Sequence, residues 1–322
     1  MFSLADIEAA LPIVRAAVPP TPHYVWPLLR ARSGVDIVVK HENHTPIGAF
    51  KLRGGLVYFD RLKRARSSVN GVVTATRGNH GQSFAYAGRH AGIPVTIVVP
   101  NGNSIEKNAA MQAFGAELIE HGRDFDEAKQ RALMLAAERG YEFGPSFHRD
   151  LVIGVATYAY EFLIACADLD AVYVPIGLGS GICGLIGVRD ALRLDTAIIG
   201  VVAARANAYR LSFDAGGVVS TDEARTFADG VAVRVPDETA LAVIRRGAER
   251  IVQVEEDEIA EAIRVYFSDT HTLTEGAGAA PLAALMKERE KMRGRRVGLI
   301  VTGHNIDRAL MATVLAGGTP RQ

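Results

Sequence analysis

Short apolar runs rich in β-branched residues alternate with stretches of helical spacing through much of this 322-residue chain. The predicted strands are 71–75, 95–99, 116–120, 171–176, 198–202 and 297–302. The predicted helices are 82–90, 105–114 and 124–139. Strands that alternate with helices in this way form a parallel sheet with helices on both faces. The sequence therefore predicts an α/β fold.

The charge balance argues against partners that depend on a strong electrostatic field. Lys plus Arg and Asp plus Glu each number 36, and apolar residues make up 48% of the chain. These values are typical of a globular protein and leave no net charge to attract nucleic acid or anionic lipid. The basic run 61–66 is predicted to be the solvated end of a helix, where cations suit the helix dipole.

Cysteine usage and one apolar stretch bear on where the protein works. Cys166 and Cys183 are the only cysteines, and their spacing suits neither a metal site nor a disulfide framework, which fits the reducing cytoplasm. Residues 1–8 lack the basic start of a secretory signal. The uncharged stretch 171–188 approaches the length of a membrane span, but it contains Pro175 and five glycines. It is predicted to be a buried strand, a glycine turn and a helix, so we expect a cytoplasmic protein without a membrane segment.

Three turns between a predicted strand and the next segment carry unusual polar and glycine residues. They are 76–81, 177–181 and 302–305. In open α/β sheets, ligands collect at the carboxyl ends of the strands, where such turns lie. The three turns are therefore predicted to share one ligand.

The glycine turn 177–181 is predicted to bind an anion, because glycine lets main-chain N–H groups at a helix start approach a phosphate closely. Residues 179–184 also match G-x-G-x-x-G, the pattern of a dinucleotide site. A dinucleotide site needs an acidic residue about 20 residues further along the chain. Here the predicted strand 198–202 is followed by Ala203, Ala204 and Arg205. Arg205 leaves NADP as an alternative ligand. A ligand that carries a phosphate but no adenosine fits the sequence better.

Lys51 lies between small residues and an aromatic one in the run GAFKLRG at 48–54. It can be a surface lysine at a helix start, as most lysines are. It can also be a lysine that forms a Schiff base, which needs close access and a lowered amine pKa. The spacing alone favours the surface lysine.

Six blocks of this sequence resemble the threonine and serine dehydratases and serine racemase, which are pyridoxal-phosphate (PLP) enzymes of fold type II. The blocks, in family order, are GAFKLRG at 48–54 (preceded by Lys40-x-Glu42-Asn43), TRGNHGQ at 76–82, VPIGLGSG at 174–181, TFADGVAV at 226–233, EGAGA at 275–279 and TGHNID at 302–307. They span nearly the whole chain. The resemblance implies two domains, each with a mainly parallel twisted sheet flanked by helices.

The resemblance also implies the domain bounds and the partners. Residues 1–70 and 149–322 would form a large, discontinuous PLP-binding domain, and 71–148 a small mobile domain. The partner would be a small-molecule amino acid substrate, and the protein would form a homodimer.

By similarity, the site residues fall into two groups. The cofactor would be bound by Phe50, Lys51, Asn79, Gly177, Leu178, Gly179, Ser180, Gly181 and Thr302. The substrate would be bound by Thr76, Arg77, Gly78, Asn79 and His80. Lys51 would hold PLP as a Schiff base, Phe50 would pack on its ring, Asn79 would bond the ring hydroxyl, and Thr302 would face the pyridine nitrogen.

The implied reaction is the dehydration of a β-hydroxy-α-amino acid to a 2-oxo acid and ammonia. The substrate would displace Lys51, the freed amine would remove the Cα proton, and the β-hydroxyl would leave. Threonine or serine is the expected substrate class, and a bulkier one such as phenylserine or a dicarboxylic one such as 3-hydroxyaspartate is an alternative. A PLP enzyme of β-replacement, like cysteine synthase, and a non-catalytic PLP-binding protein are further alternatives.

Several residues depart from the family pattern. Ala49 replaces a common serine, and Arg77 replaces a small residue that acts as a base in serine racemase, which disfavours racemisation because arginine stays protonated. Arg77 either binds a second substrate carboxylate or turns outward into solvent. His80 either contacts the substrate or bonds the backbone at a helix start.

Two more departures bear on ligands. Phe147, His148 and Tyr158 either line a pocket for a large β-substituent or pack between domains. The segment 201–207 has no match to the acidic residues that hold a divalent cation in serine racemase. Because hard cations need charged oxygen ligands, no metal is predicted there.

Overall fold

The computed structural model describes residues 1–66 and 68–321, which form ten strands and thirteen α-helices. The strands are β1 (His23–Val25), β2 (Asp36–His41), β3 (Val72–Ala75), β4 (Val95–Val99), β5 (Glu117–Glu120), β6 (Glu142–Phe143), β7 (Ala171–Pro175), β8 (Ala197–Ala203), β9 (Arg250–Val254) and β10 (Arg296–Val301). The helices are α1 (Leu4–Arg15), α2 (Pro27–Ser33), α3 (Lys51–Ala65), α4 (Asn79–Ala91), α5 (Ile105–Ala113), α6 (Phe125–Arg139), α7 (Arg149–Ala165), α8 (Ser180–Ala191), α9 (Ala208–Ala215), α10 (Glu238–Gly247), α11 (Glu256–Thr270), α12 (Gly276–Glu288) and α13 (Arg308–Leu315).

The strands form two sheets. The larger sheet has six strands in the order β1-β2-β10-β7-β8-β9, and all neighbours are parallel except the antiparallel pair β1–β2. The smaller sheet has four parallel strands in the order β5-β4-β3-β6. The α/β fold with two mainly parallel sheets is therefore confirmed.

Burial explains why the central strands read as continuous apolar runs. All residues of β3, β4 and β7 are buried, as expected for parallel strands with helices on both faces. Separate hydrophobic clusters lie on the two faces of the larger sheet, one with α11 and α12 and one with α7 and α8. Hydrophobic packing therefore fixes the position of the strands up to their carboxyl ends.

The predicted elements are confirmed, with shifts at their ends. Each predicted strand is present, and the helix predicted from residue 82 begins earlier, at Asn79. The stretch 171–188 is a buried strand, a turn and a helix, and α3 ends within the basic run at Ala65. Strands β1, β2, β6 and β9 were not predicted. In the part of the chain that the structure describes, no helix has the length and apolar character needed to cross a bilayer.

The smaller sheet lies between residues 72 and 143, inside the predicted small domain 71–148. One hydrophobic cluster nevertheless joins Leu52 and Phe59 of α3 with Phe84 of α4 and Ile97 of β4. Helix α3 therefore packs directly on the smaller sheet unit, and the predicted domain bounds and mobility stay predictions.

Candidate active site

Lys51 is the first residue of α3, and its side chain points toward the start of α8. Its Nζ donates a hydrogen bond to Ser180 Oγ at 2.9 Å and lies 4.9 Å from the centroid of the Phe50 ring. Burial lowers the pKa of the Lys51 amine to about 8. A substantial share of neutral amine near neutral pH is the property that imine formation requires. Lys51 is therefore half-buried with its amine at the start of α8, and its role as the reactive amine stays a prediction.

The segment before Lys51 is held by the turn after β10. The Phe50 N–H donates to the carbonyl oxygen of Thr302 at 3.0 Å, and Ala49 forms a bridge with Gly303. Gly48 has a φ of 68°, and a Cβ atom there would collide with the His304 ring. The lysine is therefore positioned by residues far away in sequence, and Thr302 lies buried beside it.

The glycine turn 177–181 forms the start of α8. Gly179 precedes the helix with a φ of 104°, a left-handed conformation that favours glycine. A Cβ atom at Gly177 would collide with the carbonyl oxygen of Gly230. The Tyr209 hydroxyl donates to the Leu178 carbonyl at 3.0 Å and so holds the turn from outside. The exposed N–H groups and partial positive charge of a helix start suit a phosphate.

These features fit pyridoxal phosphate. The Lys51 amine lies next to the glycine turn, and a Cβ atom at Gly181 would be 3.6 Å from the Phe50 ring, so an aromatic side chain lies near both. The residues predicted for the cofactor therefore come together in one place, and their individual roles stay predictions.

Asn79 lies at the start of α4, in a chain of side-chain hydrogen bonds. Its Nδ2 donates to Glu275 Oε1 at 2.7 Å, and its Oδ1 accepts from Asn305 Nδ2 at 2.8 Å. Burial raises the pKa of the Glu275 carboxyl. Neither Glu275 nor Asn305 was predicted as a site residue. Their presence in the quoted blocks 275–279 and 302–307 was the signal that pointed to them.

The turn 76–81 is organised by its first residue. Thr76 Oγ1 accepts hydrogen bonds from the Gly78 N–H at 3.0 Å and the Gly81 N–H at 3.3 Å. The turn is thereby curled around the Thr76 hydroxyl at the carboxyl end of β3.

His80 bonds a side chain rather than the backbone. Its Nε2 lies 3.1 Å from Thr74 Oγ1, whose own proton is donated to the Gly144 carbonyl at 2.7 Å. Thr74 Oγ1 therefore accepts from the His80 ring, which also packs 4.2 Å from the Phe84 ring. Burial, assisted by the charge of Lys51, lowers the pKa of His80 to about 3. The contact with Thr74 favours a structural role for the His80 ring, and its part in substrate binding stays a prediction.

Arg77 and Lys107 approach the same carboxylate. Lys107 Nζ donates to Asp229 Oδ2 at 3.0 Å, and Arg77 Nη2 lies 3.9 Å from Asp229 Oδ1. Although burial opposes it, the carboxylates of Asp229 and Glu275 raise the pKa of Lys107. The Nε of Arg77 is buried and makes no hydrogen bond among the described residues. Lys107 and Asp229 were not predicted as site residues, and Asp229 lies in the quoted block 226–233.

The three residues weighed as a pocket for a large substituent all have packing contacts. His148 caps α7 by accepting from the Asp150 N–H at 3.2 Å, and its side chain is 43% exposed. Phe147 packs against the core cluster of α7 and α8, and the Tyr158 hydroxyl donates to the Gly181 carbonyl at 3.4 Å. These contacts favour the packing alternative.

Within residues 1–66 and 68–321, no group of three or more His, Cys, Asp or Glu side chains is arranged to hold a metal ion. The absence of a metal stays a prediction. Cys166 and Cys183 are both buried free thiols.

Comparison with known proteins agrees with this geometry. The family model of pyridoxal-phosphate-dependent enzymes matches residues 14–303. The chain is 36% identical to an L-threonine ammonia-lyase of Geobacter sulfurreducens over 286 residues, covering 88% of this chain and 71% of that protein. It is 33% identical to an L-threo-3-hydroxyaspartate ammonia-lyase of a Pseudomonas species, covering 92% and 93% of the two chains.

A solved structure shows the same architecture. Threonine deaminase isoform 2 of Solanum lycopersicum, in its processed form, superimposes with a TM-score of 0.89 at 29% identity, over 98% of this chain and 95% of that one. The match to the family model and the two relatives covers the lysine, the glycine cradle and the turn 76–81. The chain therefore belongs to the pyridoxal-phosphate-dependent enzymes of fold type II, in the branch of threonine dehydratases and serine racemase, and it is an ammonia-lyase of that branch.

Proposed function

We propose that this enzyme converts a β-hydroxy-α-amino acid of the threonine and serine class to a 2-oxo acid and ammonia. The observation that carries the proposal is the 2.9 Å contact between Lys51 Nζ and Ser180 Oγ. It brings an amine of lowered pKa to the anion cradle where a phosphorylated aldehyde can be held. The named activities of the Geobacter and Pseudomonas relatives support the same reaction.

When bound, the cofactor supplies an aldehyde for imine formation and a ring that withdraws electrons from the substrate Cα. Lys51 would bind that aldehyde, and once released its neutral amine would accept the Cα proton. A pKa of about 8 makes a useful share of that base available near neutral pH. Thr302 would lie at the pyridine nitrogen, where a neutral hydroxyl gives a weaker electron sink than a carboxylic acid and favours loss of a β-substituent.

The turn 76–81 would bind the substrate carboxylate. The Thr76 hydroxyl holds the Gly78 and Gly81 N–H groups and so fixes the curvature of the turn. The start of α4 adds partial positive charge for an anion. We propose that Thr76, Arg77, Gly78, Asn79 and His80 form this site, with His80 as a neutral packing and hydrogen-bonding residue.

The test compares wild-type enzyme with Lys51→Ala after both have been supplied with pyridoxal phosphate. We expect wild type to turn yellow and to release ammonia and a 2-oxo acid from L-threonine or L-serine. In wild type, borohydride should remove the yellow colour by reducing the imine, whereas the Lys51→Ala variant should lack that colour from the start. The turnover of the variant should be at least about 1,000-fold lower, because it lacks both the imine and the base. Exposed Lys129→Ala on α6 is the matched control and should behave as wild type.

Three results would contradict the proposal in different ways. Turnover of O-acetylserine with sulfide, without ammonia from any β-hydroxy amino acid, would indicate β-replacement. A yellow protein inactive on threonine, serine, phenylserine and 3-hydroxyaspartate would indicate a non-catalytic role. A colourless protein would refute the role of Lys51. A homodimer stays a prediction from the family resemblance, and a cytoplasmic location stays a prediction from the cysteine usage and the N-terminal residues.

A further inference from the structure

Two asparagine side chains form a chain of hydrogen bonds that fixes the orientation of both amides. Asn305 Nδ2 donates to the carbonyl oxygen of Ile47 and to Asn79 Oδ1, both at 2.8 Å. Asn79 Nδ2 in turn donates to Glu275 Oε1 at 2.7 Å. The two ends of the chain, a main-chain carbonyl and a carboxylate oxygen, are acceptors. Each asparagine must therefore turn its NH2 group in the direction seen here, because a flipped amide would bring two oxygens together.

The number of N–H bonds in the two amides leaves one donor unused. An NH2 group has two N–H bonds. Those of Asn305 are taken up by Ile47 and Asn79, while the Oε1 atom of Gln82 is farther away, at 3.5 Å. The NH2 group of Asn79 gives one N–H to Glu275, and its second N–H makes no hydrogen bond to residues 1–66 and 68–321. Asn79 is therefore held with one N–H available for a ligand.

This chain of hydrogen bonds lies beside the segment that carries Lys51. A Cβ atom at Gly303 would be 2.8 Å from Glu275 Oε1 and 3.2 Å from the Ala49 Cβ. The missing side chain at position 303 therefore lets the chain of hydrogen bonds pass close to the residues before the lysine. Farther along α4, Ser83 Oγ donates to the Lys51 carbonyl at 2.7 Å. The helix that carries the available N–H is thus fixed to the helix that begins with the lysine.

We propose that Asn305 is a positioning residue for the cofactor, which orients the Asn79 amide so that its second N–H donates to the ring oxygen of pyridoxal phosphate. The inference rests on the proposed function and on the expected bond between Asn79 and the ring hydroxyl. A donor at that oxygen stabilises its ionised form through a charge-assisted hydrogen bond. Without the NH2 group of Asn305, the Asn79 amide can turn its own oxygen toward the ring oxygen, and the hydrogen bond is lost.

The experiment measures the dissociation constants of two cofactors by equilibrium dialysis, after the bound cofactor has been removed. One is pyridoxal phosphate, and the other is its analogue with hydrogen in place of the ring hydroxyl. Asn305→Ala should weaken the binding of pyridoxal phosphate roughly 10-fold or more and that of the analogue less than about 3-fold, because the analogue has no ring oxygen for Asn79 to bond. Asn305→Asp, which puts an acceptor opposite Asn79 Oδ1, should show the larger loss. Exposed Asn101→Ala is the matched control and should bind both as wild type does.

A double-mutant cycle distinguishes an effect through Asn79 from a general loss of structure. When Asn79→Ala is already present, adding Asn305→Ala should weaken the binding of pyridoxal phosphate less than about 2-fold, since the amide that Asn305 orients is gone. Independent contributions would multiply instead. Urea unfolding shows whether each variant is folded. If Asn305→Ala does not fold, Asn305→Ser, which keeps one donor, takes its place in the same comparison.

The inference and the proposed function can fail separately, because dialysis needs no turnover. Equal losses on pyridoxal phosphate and its analogue would overturn the inference and make Asn305 a residue that only supports the fold. Unchanged binding of both would overturn it as well, whether or not the enzyme releases ammonia. If the expected discrimination is found but wild type releases no ammonia from any β-hydroxy amino acid, the proposed reaction fails, while the positioning role of Asn305 is supported.

Discussion

At the scale of single residues, burial shifts the pKa of two side chains in the candidate active site. Lys51 and His80 both have a lowered pKa for which burial is the main cause. The sequence predicted that the two would be in one site, because both lie in recognisable blocks. It did not predict the lowered pKa of His80, since that depends on burial in the folded protein and on the charge of Lys51.

The lowered pKa of His80 predicts a pH-dependent contribution to stability. The unfolded chain takes up the proton near pH 6.5, whereas the folded ring resists protonation until about pH 3. Between these values the unfolded state binds more protons, so the free energy of unfolding falls as the pH falls, by at most about 1.4 kcal/mol per pH unit from this residue. Urea unfolding at pH 7 and pH 5 should show a smaller loss in His80→Gln than in wild type, by about 2 kcal/mol.

His90→Gln is the control for this measurement, because His90 is exposed at the other end of α4. It should show the same pH dependence as wild type. An identical loss between pH 7 and pH 5 in His80→Gln and wild type would refute the assignment.

At the scale of elements, a buried charge network joins β2, α3 and α7 beneath the site. Arg53 is fully buried and donates to Glu42 at 2.8 and 3.0 Å and to Glu161 at 3.0 and 2.9 Å. Lys40 adds a bond to Glu161 at 3.0 Å. Arg53 and Glu42 lie in segments that resemble the family, but the sequence does not show that they pair. The second partner of Arg53, Glu161, lies on α7, far along the chain. Hydrophobic periodicity predicts that a segment is a helix, but it does not predict which buried charged side chains form ion pairs.

Removing one member of this network should be costly. Arg53→Met would leave the carboxylates of Glu42 and Glu161 buried with too few partners, so we expect the free energy of unfolding to drop by about 3 to 5 kcal/mol. Arg64→Met is the matched control on the same helix, since Arg64 is 74% exposed and pairs with Asp60 on the surface. Its loss should be much smaller, because an exposed ion pair contributes little to stability. Denaturant unfolding of the three proteins measures both values, and similar losses in the two variants would contradict the role of the network.

At the scale of the whole molecule, the start of α5 joins the smaller sheet unit to the rest of the protein. Ser104 bonds Asp307, Glu106 accepts from the Arg308 N–H at 3.0 Å, and Lys107 bonds Asp229. The sequence predicted α5 but not these contacts, nor the place of β10 between β2 and β7. Both depend on packing between segments that are roughly 120 to 260 residues apart in sequence, which local pattern does not encode. The resemblance predicted two sheets because it carries the fold as a whole.

Weakening this junction should loosen α5 without unfolding the protein. Lys107→Met leaves Asp229 without its nearest cation, and we expect amide hydrogen exchange in α5 to rise about 10-fold or more, while exchange in β7 and β8 stays as in wild type. Lys129→Met, an exposed lysine on α6, should change neither region. An increase spread evenly over both sheets would indicate global destabilisation instead.

The position of β10 has a consequence for how the protein is made. Residues 296–301 fill the middle of the larger sheet, and the turn after them holds the segment that presents Lys51. A nascent chain therefore emerges from the ribosome with Lys51 well before the strand that supports its position. Until translation reaches that strand, β2 and β7 have no strand between them, and the segment before Lys51 lacks its hydrogen bonds to the turn after β10. Closing the central gap of the larger sheet and fixing the segment before Lys51 are therefore expected to coincide.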